Sequence, residues 1–169
     1  KPSSAASDVY KRQTVSRLSS IFNHNTNANY FGDLYAVDKN LAKNLYISYI
    51  HSLCKILNKI GINFNTIPVL DVLRKNTNRI IGKRSFSKNK KIVKELGNIT
   101  ISKCHKNNII SVIKHIPGHG CSSVDSHLSM PRVNFKKKLL EKNDFYPFIK
   151  SKAKIAMTAH VLYSKIDSK

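Results

Sequence analysis

The densest group of chemically reactive side chains lies in residues 114–127, with the sequence KHIPGHGCSSVDSH. It combines three histidines, a lysine, an aspartate and a cysteine with a proline and two glycines that permit tight turns. Asp125 and His127 are two residues apart, so in an extended loop their side chains point the same way. A carboxylate hydrogen-bonded to an imidazole fixes its tautomer and favours the protonated ring. The pattern predicts an acid/base dyad, and a purely structural Asp–His hydrogen bond is the alternative.

Two other chemistries fit this segment less well. A zinc site would use His115, His119 and His127, but their spacing differs from HExxH and the segment reads as a loop. A nucleophilic Cys121 beside a histidine has only nearness in its favour. The three cysteines of the chain form no CxxC pair, which favours a reduced, intracellular protein without structural zinc. We therefore expect no metal and no cofactor.

The chain is strongly basic, with a formal net charge of +21 from 30 Lys+Arg against 9 Asp+Glu. Such a surplus often accompanies a nucleic-acid partner. Lysines outnumber arginines 24 to 6 and are spread along the whole chain, which instead favours a solvated basic surface. No apolar run approaches the roughly 20 residues that cross a bilayer. We expect no nucleic-acid partner and no membrane partner, and a basic nucleic-acid-binding module remains an alternative function.

The elements that position these residues are predicted from apolar spacing. One predicted helix is capped by Asp38 and ends at Gly61. A second follows a cap at Ser87, although Gly97 disfavours a helix there. A third spans residues 135–149. Residues 62–72, 109–113 and 153–161 are predicted strands, whereas residues 14–30 and 114–131 read as loops. Residues 1–13 differ in composition, as a cloning scar or a disordered N-terminus would.

Helices alternate with strands that are apolar throughout, which indicates an α/β protein with a parallel sheet. Asp71 and His160 lie at the carboxyl ends of predicted strands, and Lys114 and His115 directly follow one. This is the face where (β/α)₈ barrels build active sites. No GxGxxG or Walker loop favours the competing doubly wound sheet. A complete barrel needs about 250 residues. Residues 14–169 are therefore predicted to form a partial TIM-type barrel that is incomplete at both ends.

Five blocks resemble, in order, the catalytic domain of glycoside hydrolase family 3, in its bacterial β-N-acetylhexosaminidase branch. They are IGINFNTIPVLDV (60–72), IGKRSF (81–86), KHIPGHG (114–120), DSHLSMP (125–131) and MTAHVLY (157–163). The KHxPGHG block together with DSH separates this branch from the β-glucosidase-like members, which lack the histidine loop.

The resemblance implies a retaining exo-hydrolase that removes terminal non-reducing N-acetyl-β-D-glucosamine in peptidoglycan recycling, with another family 3 β-glycosidase as the alternative. It also implies a cytoplasmic protein that acts on a saccharide or muropeptide and is monomeric at full length. His127 would be the general acid/base, with Asp125 as its orienting partner. The sugar-binding residues would be Arg84, Lys114, His115 and, on a weaker match, Arg17.

The sequence departs from the family at both ends. The family nucleophile is an aspartate in an SDD-like motif, which nothing after His160 matches, and Asp167 follows the preceding block too closely. The EGG segment expected before Arg17 is also missing. We therefore expect an acid/base half-site without its nucleophile, little hydrolase activity from this chain alone, and exposed sheet edges. Asp71 is expected to form a structural ion pair, and His119 is assigned no role.

Overall fold

The structure is a computed structural model that describes residues 26–124 and 130–167. Its helices are α1 (Ala28–Val37), α2 (Lys39–Lys59), α3 (Lys90–Lys106), α4 (Lys137–Lys142) and α5 (Tyr146–Ile149), with a 3₁₀ turn at Gly82–Arg84. Its strands are β1 (Phe64–Asn65), β2 (Ile110–Ile116), β3 (Arg132–Val133), β4 (Ile155–Thr158) and β5 (Leu162–Tyr163). Within the described residues, no helix combines the length and apolar character needed to cross a membrane.

Helix α2 confirms its predicted boundaries. The Asp38 carboxylate accepts hydrogen bonds from the backbone N–H groups of Asn40 and Leu41, both at 2.9 Å, and so caps the helix. Gly61, just past the end of α2, has φ +76°, which glycine adopts without the steric penalty of a side chain.

Helix α1 begins inside the segment that was predicted as loop, so that prediction is wrong for residues 28–30. The helix docks through Phe31, whose ring lies 4.7 Å from Tyr46 and 5.1 Å from Tyr49 between centroids. A Cβ on Gly32 would stand 1.7 Å from the Phe86 carbonyl oxygen, so only glycine permits this approach. Tertiary packing therefore stabilises a helix whose local sequence signal is weak.

Helix α3 starts later than predicted. Its cap is Asn89, whose side chain accepts from the backbone N–H of Lys91 at 2.9 Å, rather than Ser87. Gly97 does not end the helix, because it gives Leu70 room to pack: a Cβ there would lie 2.3 Å from Leu70 Cδ2.

The third predicted helix, over residues 135–149, is two short helices, α4 and α5. The chain breaks between them where Asp144 turns inward to pair with Arg74. Pro147 stands in the first turn of α5, where the missing proline N–H costs nothing.

The main sheet has the order β1–β2–β4, and every pair is parallel. The strand predicted over residues 62–72 is reduced to β1 and a single bridge between Val69 and Lys114, since Pro68 has no N–H to offer the ladder. Strand β2 extends beyond its predicted residues 109–113, and β4 is shorter than its predicted residues 153–161. A second parallel pair, β3–β5, was not predicted.

One face of the main sheet packs under α2 and α3 around a core that includes Leu70, Leu96 and Ile113. The other face carries Phe64, Ile110 and Ile155, which keep 40%, 49% and 42% of their surface exposed. Their registers place them on the same side of the sheet, since Phe64 pairs with Ile110 and Ile155 pairs with Val112. This side of the sheet therefore exposes apolar surface.

Candidate active site

The site is organised around Asp71, a fully buried carboxylate at the carboxyl end of the sheet. Its Oδ2 accepts from Nδ1 of His115 at 2.7 Å, and its Oδ1 accepts from the backbone N–H of His119 at 2.6 Å. Burial alone would raise the pKa of Asp71, but the hydrogen bond and charge of His115 and the N–H of His119 hold this pKa below its usual value. Asp71 is thus an ionised anchor, and its ion-pair partner, which the sequence prediction left unnamed, is His115.

His115 is oriented by this contact. Because the Asp71 carboxylate only accepts, Nδ1 of His115 carries the shared proton, and the other ring nitrogen is left for further bonding. The His115 side chain keeps 17% of its surface exposed. A carboxylate-oriented imidazole that still reaches solvent is suited to donate to, or accept from, a bound hydroxyl group.

Arg84 ends the 3₁₀ turn and lies in the electrostatic field of Asp71. Its Nη1 donates to the Ile80 carbonyl at 3.0 Å, while its Nη2 is buried with no hydrogen-bond partner among the described residues. Burial lowers the pKa of Arg84, and the charge of Asp71 opposes that shift. The site therefore holds a guanidinium with one N–H group uncommitted.

His119, which was assigned no role in the sequence prediction, belongs to the same cluster around Asp71. The ring is buried and lies 5.9 Å from that of His115 between centroids. Burial lowers the pKa of His119, although Asp71 opposes this, and the nearby charges of His115 and Arg84 lower it further. Its Nδ1 has no hydrogen-bond partner in the described part of the chain. His119 is therefore a neutral imidazole at neutral pH.

Lys114 precedes His115 in strand β2, but its side chain contacts Thr66 rather than Asp71. Its side chain is buried, and Nζ lies 3.2 Å from Oγ1 of Thr66. The Lys114 backbone bridges to the segment before Asp71, accepting from Leu70 at 2.8 Å and donating to Pro68 at 3.2 Å. These bonds fix the position of Lys114 and His115 relative to Asp71.

The glycines of the PGHG segment are clamped from three sides. Tyr163 donates its hydroxyl to the Gly118 carbonyl, and Thr77 donates to the Gly120 carbonyl at 2.5 Å. A Cβ on Gly120 would lie 2.0 Å from the Val72 carbonyl oxygen, so the backbones touch there. These contacts hold His119 against Asp71. No residue spacing in the sequence predicts them.

A second buried ion pair supports the same loop. Arg74 donates from Nε to Oδ1 of the fully buried Asp144 at 3.0 Å, and its Nη2 pairs with the other carboxylate oxygen. The hydrogen bond from Arg74 to Asp144 raises the pKa of Arg74. The two residues are 70 positions apart, so sequence reasoning missed their pairing.

The structure thus brings Arg84 and His115 together around Asp71, and it places Lys114 beside them in the strand. His160 is exposed rather than part of this cluster. Asp125, His127 and Arg17 lie outside the described residues, so their roles stay predictions.

The described residues bear on the two alternative chemistries, a metal site and a nucleophilic Cys121. Across residues 26–124 and 130–167, no three or more His, Cys, Asp or Glu residues are grouped so as to hold a metal. Burial raises the pKa of Cys121 to about 12, so little thiolate is present at neutral pH. This pKa argues against Cys121 as a nucleophile.

Comparison with known proteins identifies the family. Residues 40–169 match the family described as the glycosyl hydrolase family 3 N-terminal domain. The chain belongs to this family. The expected fold is confirmed: the family 3 domain is a TIM-barrel-like α/β fold, and the chain forms part of it.

Over the aligned regions, relatives within family 3 are about one third identical to this chain. Beta-hexosaminidase A of Pseudoalteromonas piscicida is 37% identical over 118 residues, which are 68% of this chain and 20% of that protein. NagZ from Neisseria gonorrhoeae, solved with N-trifluoroacetyl-D-glucosamine, has a TM-score of 0.79 and 31% identity over 85% of this chain and 43% of its own. A Paenibacillus family 3 β-N-acetylglucosaminidase has a TM-score of 0.71 and 29% identity over 75% of this chain and 25% of its own. The chain therefore spans less than half the length of each of these relatives.

Proposed function

We propose that this chain supplies the acid/base and sugar-binding part of a retaining exo-β-N-acetylhexosaminidase. The reaction would remove terminal non-reducing N-acetyl-β-D-glucosamine. The observation that carries the proposal is the Asp71–His115 pair with Arg84 beside it at the carboxyl end of the sheet. Family 3 membership and the hexosaminidase names of the relatives support the choice of substrate.

The proposed chemistry follows the two-step retaining pathway. His127, oriented by Asp125, protonates the glycosidic oxygen as the bond to the anomeric carbon breaks. A nucleophilic carboxylate forms the glycosyl-enzyme. His127 then removes a proton from water, and the resulting hydroxide equivalent releases the sugar with net retention.

The described residues would bind the sugar rather than break its bond. Arg84 Nη2 is an uncommitted cationic donor, and the free ring nitrogen of His115 is held in place by Asp71. Buried polar groups without partners favour a ligand that supplies them, because an unmade hydrogen bond costs about 1–3 kcal/mol. Ring hydroxyls of a saccharide are suitable partners, since each can both donate and accept.

The biological setting is part of the same proposal. The chain has three cysteines and no CxxC pair, which suits a cytoplasmic protein. In the cytoplasm, a family 3 hexosaminidase would act on muropeptide fragments during peptidoglycan recycling. We propose that the protein works as a monomer at the length of its relatives.

The test uses a longer polypeptide that contains these 169 residues and has the full length of the relatives. Hydrolysis of aryl N-acetyl-β-D-glucosaminide is compared with hydrolysis of aryl β-D-glucoside by kcat/KM. Preference for the N-acetylated substrate is expected, whereas preference for the glucoside would favour the alternative family 3 β-glycosidase. Failure to cleave either substrate would contradict the proposal.

The same assay tests the sugar-binding cluster. His115→Gln keeps a polar side chain but removes the Nδ1–H that Asp71 holds, so KM is expected to rise by about tenfold or more. The matched control is His51→Gln, an exposed histidine on helix α2 outside the cluster, which should leave KM and kcat within about twofold. Equal effects of the two substitutions would show that His115 has no special place in the site.

A further inference from the structure

A second concave site lies on the helical side of the sheet, between α2 and α3. It encloses about 440 Å³ and is lined by Lys43, Ile47, Lys94, Glu95, Asn98, Ile99, Ser102, Lys103 and Lys152. The lining therefore carries four ammonium groups against a single carboxylate. We propose that this groove, called here the basic groove, binds a small ligand that carries a diphosphate group.

The charges of the basic groove are unbalanced within the described chain. Glu95 is shared between Lys43 at 3.6 Å and Lys39 at 3.7 Å, so its charge is already committed. Lys94, Lys103 and Lys152 make no ion pair among the described residues. Like charges gathered on one surface repel each other, and a bound anion would relieve that repulsion.

The groove is also held in shape by hydrogen bonds. Asn98 donates from Nδ2 to the Lys150 carbonyl at 3.0 Å and accepts at Oδ1 from the backbone N–H of Lys152 at 3.0 Å. These two bonds pin the segment before β4 to α3, and so they place Lys152 opposite the α3 lysines. A preorganised cluster loses less conformational entropy when a ligand binds than a mobile one does.

Size and chemistry favour a small polyanion over a macromolecule. The volume falls within the roughly 300–1,000 Å³ typical of small-molecule sites. Lysine ammonium groups bind phosphate oxygens as point charges, and three uncommitted lysines match a diphosphate better than a single phosphate. Ile47 and Ile99 add an apolar surface that could take the organic part of a nucleoside diphosphate.

The test is calorimetric titration of the 169-residue chain with inorganic pyrophosphate, orthophosphate and ADP in 150 mM NaCl. Saturable 1:1 binding of pyrophosphate, about tenfold tighter than orthophosphate, is expected, because more phosphate oxygens meet the lysines. ADP should compete with pyrophosphate. Tighter binding of ADP would identify a nucleoside diphosphate, and equal binding would identify the phosphate groups alone. Absence of saturable pyrophosphate binding, or of competition by ADP, would overturn the proposal.

Matched triple variants separate the groove from general positive charge. Lys94→Gln with Lys103→Gln and Lys152→Gln should weaken pyrophosphate binding about tenfold, since each solvent-screened contact contributes about twofold. The control replaces the exposed lysines 55, 136 and 138 by glutamine, which changes net charge equally outside the groove, and its affinity should stay within about twofold. Circular dichroism checks that both variants fold. Equal weakening by the two triples would overturn the proposal, and this outcome is independent of any glycosidase activity.

Discussion

The hydrogen bond between Asp71 and His115 should be measurable as a coupling energy. Asp71→Asn keeps the side-chain shape and an oxygen for the His119 N–H, but it removes the charge that His115 Nδ1 meets at 2.7 Å. His115→Phe keeps a ring but removes the donor from the other side. A hydrogen bond to a buried charged group contributes roughly 1.5–3 kcal/mol. The double-mutant cycle should therefore return a coupling energy of that size.

The assay is urea unfolding at pH 7, followed by far-ultraviolet circular dichroism, for the wild type, both single variants and the double variant. The control cycle pairs His115→Phe with Asp33→Asn, an exposed aspartate of α1 that bonds Asn29 rather than either histidine. Those two changes should be additive within about 0.5 kcal/mol. A coupling for Asp71 and His115 that is equally small would refute their interaction.

Three further outcomes are expected. Asp71 has a lowered pKa when folded, so its stabilisation is complete above its unfolded pKa of about 3.9 and is lost as the pH falls below that value. The unfolding free energy of the wild type should accordingly fall more between about pH 5 and 3 than that of Asp71→Asn, and parallel curves would contradict this. Gly120→Ala should cost roughly 3 kcal/mol in urea unfolding because its Cβ would meet a backbone carbonyl at 2.0 Å, whereas Gly61→Ala, in open space at φ +76°, should cost about 1 kcal/mol. Iodoacetamide should label only Cys121 in the native state, and slowly, because the other two thiols are fully buried; mass spectrometry that finds either of them alkylated before unfolding would contradict the packing.

Local signals predicted some elements well. Asp38 and Gly61 defined helix α2 because capping and positive φ are properties of single residues. The sequence blocks also led to the family and to Arg84, Lys114 and His115, since each block is contiguous and specific.

Other features depend on contacts that no local window contains. The α1 helix forms because Phe31 packs onto α2. Arg74 and Asp144 meet across 70 positions and split the predicted third helix. Asp71 was correctly expected to have a partner, but its hold on His119 required the fold of the PGHG segment. Propensity and periodicity describe neighbours along the chain, whereas these pairs are neighbours only in space.

The proposed role of His127 as general acid is tested by how the loss of kcat/KM in a His127 variant depends on the leaving group. In the polypeptide that carries this chain at its relatives' length, His127→Ala is assayed on a methyl and a nitrophenyl N-acetyl-β-D-glucosaminide. An acid that protonates the leaving oxygen contributes about 10²–10⁴-fold to the rate, and a stable nitrophenolate needs that proton far less. A large loss of kcat/KM is expected for the methyl glycoside and a much smaller loss for the nitrophenyl glycoside. Equal losses on the two substrates would contradict it.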